Sequence, residues 1–138
     1  MNAIATVAVP DANTRARSDV IVEFFRMRLV PEASRQENFH ALFLDSKRRL
    51  VGEKAIRGHS SDCIRTRSRE IFAEALAARA SGLIIAHNHP SGHCKPSRAD
   101  IEATRKLSDI ARALDIELLD HLIITDASAY SMRAGGLL

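Results

Sequence analysis

The chain has 138 residues, which suits one domain with a real hydrophobic core. Hydrophobic residues make up 46% and charged residues 27%, a globular balance that excludes a disordered chain. The lack of Trp and the single Tyr exclude an aromatic platform for stacking bases, and two cysteines, Cys63 and Cys94, cannot build a disulfide framework.

The net charge is +3, concentrated partly in Lys47, Arg48 and Arg49 and partly in Arg65, Arg67 and Arg69. Such residues serve as a solvated turn and helix start, or as a weak phosphate-binding surface for DNA. The apolar stretch from Ala3 to Val9 lacks the basic flank of a signal core and stops at Pro10, so residues 1–14 read as a flexible lead to a single domain over 15–138. Val20, Ile21, Phe24, Phe25, Met27 and Leu29 predict an amphipathic helix over 19–29, ended by Pro31. Short apolar runs over 39–45 and 50–56, joined by a polar turn, predict a hairpin that could also pair across a homodimer. Thr66 is placed to cap a helix through Ala80, with Ile71, Phe72, Ala75 and Leu76 on one face.

Gly82 is expected to end that helix, and the continuous apolar run over 83–87 predicts a strand buried on both sides. After a loop over 90–96, Ser97 opens a helix to about Leu114, with Ile101, Leu107, Ile110, Ala111 and Leu114 inward. Strands are expected over 116–125 and 129–132. Interleaved helices and strands with an early hairpin predict an α/β (α+β) fold, a mixed, mainly antiparallel sheet flanked by helices. No run approaches the length of a membrane span, and the cysteine usage without a secretory signal predicts a cytoplasmic protein.

The densest chemistry is His87-Asn88-His89-Pro90-Ser91-Gly92, followed by Pro96-Ser97-Arg98-Ala99-Asp100. Alternate residues of a strand point to one face, so His87 and His89 can aim at one ion. Asp100, one turn into the next helix, can return a carboxylate to the strand end. Two imidazoles and a carboxylate are the ligand count of a catalytic zinc site with one position open. Ser97 to Asp100 is equally a helix capping box, which competes for the same carboxylate. His93 and Cys94 lie in the loop as poor candidate ligands. Asp120-His121 reads as a buried structural pair, or as a pair that orients a ligand. The contiguous letters His-Asn-His do not make an HNH nuclease, whose residues are scattered along a ββα unit. A zinc deaminase would need His-x-Glu and Pro-Cys-x-x-Cys, and neither is present.

The spacing His87-x-His89-x7-Ser97-x2-Asp100 resembles the JAMM motif of JAB1/MPN metalloproteases. The fuller string, with Phe43-Leu44-Asp45, Arg49-Leu50, Arg69-Glu70-Ile71-Phe72 and Leu119-Asp120-His121, resembles the RadC branch from about residue 34 to the C-terminus. The resemblance implies a JAB1/MPN-like fold of cytidine-deaminase-like architecture. It implies zinc held by His87, His89 and Asp100, with Ser97 hydrogen-bonded to the developing oxyanion. An upstream glutamate would be the general base in cleavage of a peptide or isopeptide bond. Glu37, just before the first hairpin strand, is favoured for that role, with Glu53 and Glu70 as alternatives. The chain departs from the family pattern at His93-Cys94-Lys95 and at Ser68, and is expected to lack the helix-hairpin-helix segment of longer RadC proteins. A DNA-repair or mobile-element accessory role, and a binding module with structural zinc, are the competing expectations.

Overall fold

The computed structural model describes residues 3–4, 12–30, 36–57 and 63–138. Nine elements follow in chain order: β1 (Ala3–Ile4), α1 (Ala12–Leu29), β2 (Asn38–Leu44), β3 (Leu50–Arg57), α2 (Cys63–Ala77), β4 (Gly82–Asn88), α3 (Arg98–Ala113), β5 (Glu117–Ile124) and β6 (Ser128–Ser131). The strands form one sheet in the order β1-β6-β5-β4-β2-β3. Pairs β6–β5, β4–β2 and β2–β3 are antiparallel, whereas β1–β6 and β5–β4 are parallel. The sheet is therefore mixed and mainly antiparallel, as expected. Of the expected lead over 1–14, Ala3–Ile4 forms β1 and residues 12–14 begin α1; the rest lies outside the described residues.

Three layers result. On one face, Val22, Phe25 and Leu29 of α1 pack on Leu42, Ile84, Ala86, Leu122 and Ile124. On the other, Ile71, Phe72 and Ala75 of α2 and Leu107 and Ala111 of α3 pack on Ala41, Phe43, Leu83, Ile85 and Leu118. Strand β4 runs through the middle and is buried at all seven positions. That burial is why its sequence is a continuous apolar run rather than an alternating one. No helix among the described residues is long and apolar enough to cross a membrane.

The helix faces differ in phase from the expectation. Ile110 and Leu114 are each 38% exposed, and Leu76 is 53% exposed. The inward stripe of α3 is Ala103, Thr104, Leu107 and Ala111, in phase with Asp100. A helix that packs on one side only can leave aliphatic residues at its flanks, so apolar identity alone misplaced the stripe. Gly82 opens β4 rather than ending α2; Arg79, at φ 54°, makes the reversal instead.

Two local devices aim side chains at the upper end of β4. Leu83 pairs with Leu118 but Ile84 pairs with Asp120, so Leu119 is an extra residue in β5. Such a bulge shifts the alternation by one. Without it Asp120 would share the face of Leu118; with it His121 does. Beyond β4, the Gly92 N–H donates to the His89 carbonyl at 3.0 Å, closing a turn with Pro90 at its second position. Gly92 has φ 85°, and a Cβ there would meet nothing within 4 Å. Gly92→Ala is therefore expected to cost about 1–2 kcal/mol through backbone strain alone. Chemical denaturation checks this, and an unchanged midpoint would contradict it.

Candidate metal centre

The site lies where β4 ends, beside the start of β2 and the first turn of α3. His87 is the penultimate residue of β4 and is fully buried. Its ring stacks on Phe39 at 4.9 Å between centroids, with 17° between planes. His89 follows beyond the strand end, with its Nδ1 2.8 Å from the His93 carbonyl. Nδ1 donates there, because a carbonyl can only accept, and Nε2 is left facing the cluster.

Asp100 serves the helix cap and the cluster together. Its N–H donates to Ser97 Oγ at 3.0 Å, and the Ser97 N–H donates to Asp100 Oδ2 at 2.8 Å, completing the capping box. The same carboxylate places Oδ2 3.1 Å from His89 Nε2 and Oδ1 3.4 Å from His87 Nε2. The cap thus presents the carboxylate to the histidines instead of withdrawing it. Burial would raise the Asp100 pKa, but the adjoining His87 and His89 rings and the Ser97 backbone N–H outweigh it and hold the carboxyl far below its usual range. The Asp100 hydrogen bond in turn raises the His89 pKa, against the opposing effect of burial.

Glu37 completes the group. Its Oε1 is 3.2 Å from His87 Nε2 and 3.9 Å from His89 Nε2. The residue is held from both sides by Asn88, a buried residue between the two histidines. Asn88 Oδ1 accepts from the Asn38 N–H at 2.7 Å, and Asn88 Nδ2 donates to the Gln36 carbonyl at 3.0 Å. Both neighbours of Glu37 are therefore tied to β4, while its own side chain remains partly exposed.

Glu37, His87, His89 and Asp100 each offer a ligand atom, all within 4.8 Å of one another. The fit to a metal is testable from their spacing. Tetrahedral ligands at zinc bond lengths of 2.0–2.1 Å stand roughly 3.3 Å apart. His87 Nε2 to His89 Nε2 is 3.0 Å, and each lies 3.1–3.4 Å from an Asp100 oxygen. Two imidazole nitrogens and an ionised carboxylate at that spacing suit a borderline divalent ion such as zinc. Such an ion would take over the role that the His89 proton plays toward Asp100.

The other glutamates lie elsewhere. Glu53 is on β3 opposite Leu42 and reaches Arg28 of α1 at 3.4 Å and His40 at 3.8 Å, on the far face of the sheet. Glu70 is exposed on α2 and stands outside the cluster. His93 contributes only its carbonyl, and Cys94 is not in the group. Asp120 and His121 do not form a mutual side-chain pair, because consecutive strand residues point to opposite faces of the sheet. Asp120 accepts from Ser131 Oγ and from the N–H groups of His121 and Arg133, whereas the His121 ring is 2.6 Å from His87 Nδ1.

Asn88 and Thr104 escaped the sequence reading. Each carried a signal: Asn88 is polar within a fully buried strand, and Thr104 continues the stripe 100, 104, 107, 111.

Comparison with known proteins agrees with the motif. The family model of the RadC-like JAB domain matches residues 16–137. Among similar proteins, a UPF0758 protein of Staphylococcus carnosus is 35% identical over 131 residues, covering 93% of this chain and 57% of the relative. One from Cellvibrio japonicus is 37% identical over 119 residues, 86% of this chain and 52% of the relative. One from Finegoldia magna is 39% identical over 99 residues, 72% and 44%. The chain spans about half the length of the curated relatives it matches.

Proposed function

Since the chain belongs to the RadC-like JAB domain family, we propose that it is a zinc-dependent hydrolase of peptide or isopeptide bonds, working in the cytoplasm. The observation that carries the proposal is the cluster of His87 Nε2, His89 Nε2 and the Asp100 carboxylate at tetrahedral-ligand spacing, with Glu37 beside them. His87, His89 and Asp100 would hold the zinc. When bound, the metal supplies Lewis acidity that makes water a nucleophile near neutral pH. Glu37 would hold the proton in transit, taking it up at its carboxylate and passing it to the leaving amine, from a partly exposed position that a substrate can approach. Ser97 Oγ already accepts the Asp100 N–H, so its own proton remains to be donated to the oxygen of the scissile carbonyl.

Metal analysis tests the ligand assignment. Protein purified without chelator is expected to carry stoichiometric zinc, and His87→Ala or Asp100→Ala is expected to lose it. Zinc content unchanged in both variants would remove the site.

One observation favours a second reading. Glu37 Oε1 lies as close to His87 Nε2 as a fourth ligand would. Bound that way, the glutamate would close the coordination shell and leave a structural zinc in a binding module. A DNA-associated role has weaker support. In the basic turn, Arg48 reaches Glu117 at 2.7 Å and Arg49 reaches Asp45 at 2.8 Å, so neither is uncommitted to a carboxylate.

A further inference from the structure

His87 Nε2 faces the cluster, so its usefulness as a ligand depends on what happens at Nδ1. His87 Nδ1 is 2.6 Å from His121 Nε2. His121 Nδ1 is 2.6 Å from Thr104 Oγ1, and Thr104 Oγ1 is 2.6 Å from the Asp100 carbonyl. All three side chains are buried, with Thr104 and His87 at 0% and His121 at 1% exposure.

Proton counting gives this chain a direction. The Asp100 carbonyl can only accept, so the single hydroxyl proton of Thr104 goes to it. This is the ordinary bond of a helical threonine to the carbonyl four residues earlier. Thr104 Oγ1 must then accept from His121, which places a proton on His121 Nδ1. The two ring contacts of His121 are a hydroxyl and another imidazole, and burial disfavours a cation there. A neutral His121 has a bare Nε2, which accepts from His87 Nδ1–H.

We infer that Thr104 and His121 are positioning residues that hold His87 in the tautomer protonated at Nδ1, so that its Nε2 lone pair points at the cluster of Asp100, His89 and Glu37. The contacts at Nδ1 set the tautomer against the pull of Glu37 Oε1 at 3.2 Å and Asp100 Oδ1 at 3.4 Å, which would accept a proton from Nε2; only the use of the lone pair for zinc rests on the function proposed above. The device reaches both elements that carry ligands. It starts from the backbone of Asp100 on α3, crosses to β5 at His121, and ends on β4 at His87, whose Nε2 returns to the Asp100 carboxylate at 3.4 Å. The β5 bulge is what brings His121 to this face. A ligating histidine whose second nitrogen is fixed by a neighbour binds metal more tightly than one that must choose its tautomer on binding.

The test uses metal-free protein and nitrogen-15 NMR of the histidine rings at mildly alkaline pH. His87 and His121 are both expected as Nδ1–H tautomers. Thr104→Val removes the acceptor for His121, so His121 is expected to move its proton to Nε2 and force His87 to carry its own at Nε2. The same variant is expected to weaken zinc affinity about 10–100-fold in a chelator competition, and Thr104→Ser to restore both readouts. A wild-type His87 protonated at Nε2 would overturn the inference, as would Thr104→Val protein that folds and leaves the His87 ring shifts unchanged. Wild type that shows the expected tautomers but binds no zinc would sink the hydrolase proposal and leave this inference standing.

Discussion

Glu37→Gln is expected to lower hydrolysis of an isopeptide-linked reporter by about 10²–10⁴-fold while leaving zinc bound. The substitution keeps the shape of the side chain and removes its ability to take a proton. The loss corresponds to about 3–5 kcal/mol of transition-state stabilisation. Geometry motivates it: Glu37 Oε1 is 3.2 Å from His87 Nε2, and Asn88 clamps the backbone on both sides of the residue. The paired measurement of zinc content and turnover distinguishes the two roles open to the carboxylate. Retained zinc with lost turnover identifies a base. Lost zinc identifies a fourth ligand and a structural site. Turnover equal to wild type would remove Glu37 from the chemistry altogether.

Phe43→Ala should destabilise the fold by about 3–5 kcal/mol, the usual cost of deleting a buried aromatic ring. Phe43 is 1% exposed in the core between the sheet and helices α2 and α3. Its ring also fills the space over Gly52, where a Cβ would stand 3.3 Å from Phe43 Cδ2. Single domains are stable by only about 5–15 kcal/mol, so this one change removes a large share. Met27→Ala is the matched control, because Met27 is 72% exposed and its truncation should cost within about 0.5 kcal/mol. Urea denaturation of both variants provides the comparison. Similar midpoints for the two would contradict the assignment of the core.

Part of this was legible in the residues alone. Strand β4 announced itself because a strand buried on both faces needs an unbroken apolar run, and Gly82 to Ala86 provides one. The helix beginning after Ser97 was legible because its cap is a local motif, formed by side chains three positions apart. The helix faces were less so. Ile110 and Leu114 are apolar yet more than a third exposed, and Thr104 is polar yet wholly buried, because packing follows angular position around the helix rather than residue type.

The sequence by itself determined the candidate ligands, since His87, His89 and Asp100 lie within one strand, one loop and one helical turn, and short-range geometry converges them. It also determined that the Asp100 carboxylate would be spoken for by a cap. Only the tertiary structure decided that cap and cluster share that carboxylate, one contact oriented by the other. It alone placed Glu37, and not Glu53 or Glu70, beside the cluster, because the three differ in the sheet face or helix they occupy. That difference arises from pairing between segments some fifty residues apart, such as Asn38 with Asn88. The partnership of His87 with His121 has the same origin. A single extra residue in β5 turns His121, and not Asp120, toward the site, and a bulge is set by how two strands register against each other rather than by either strand alone.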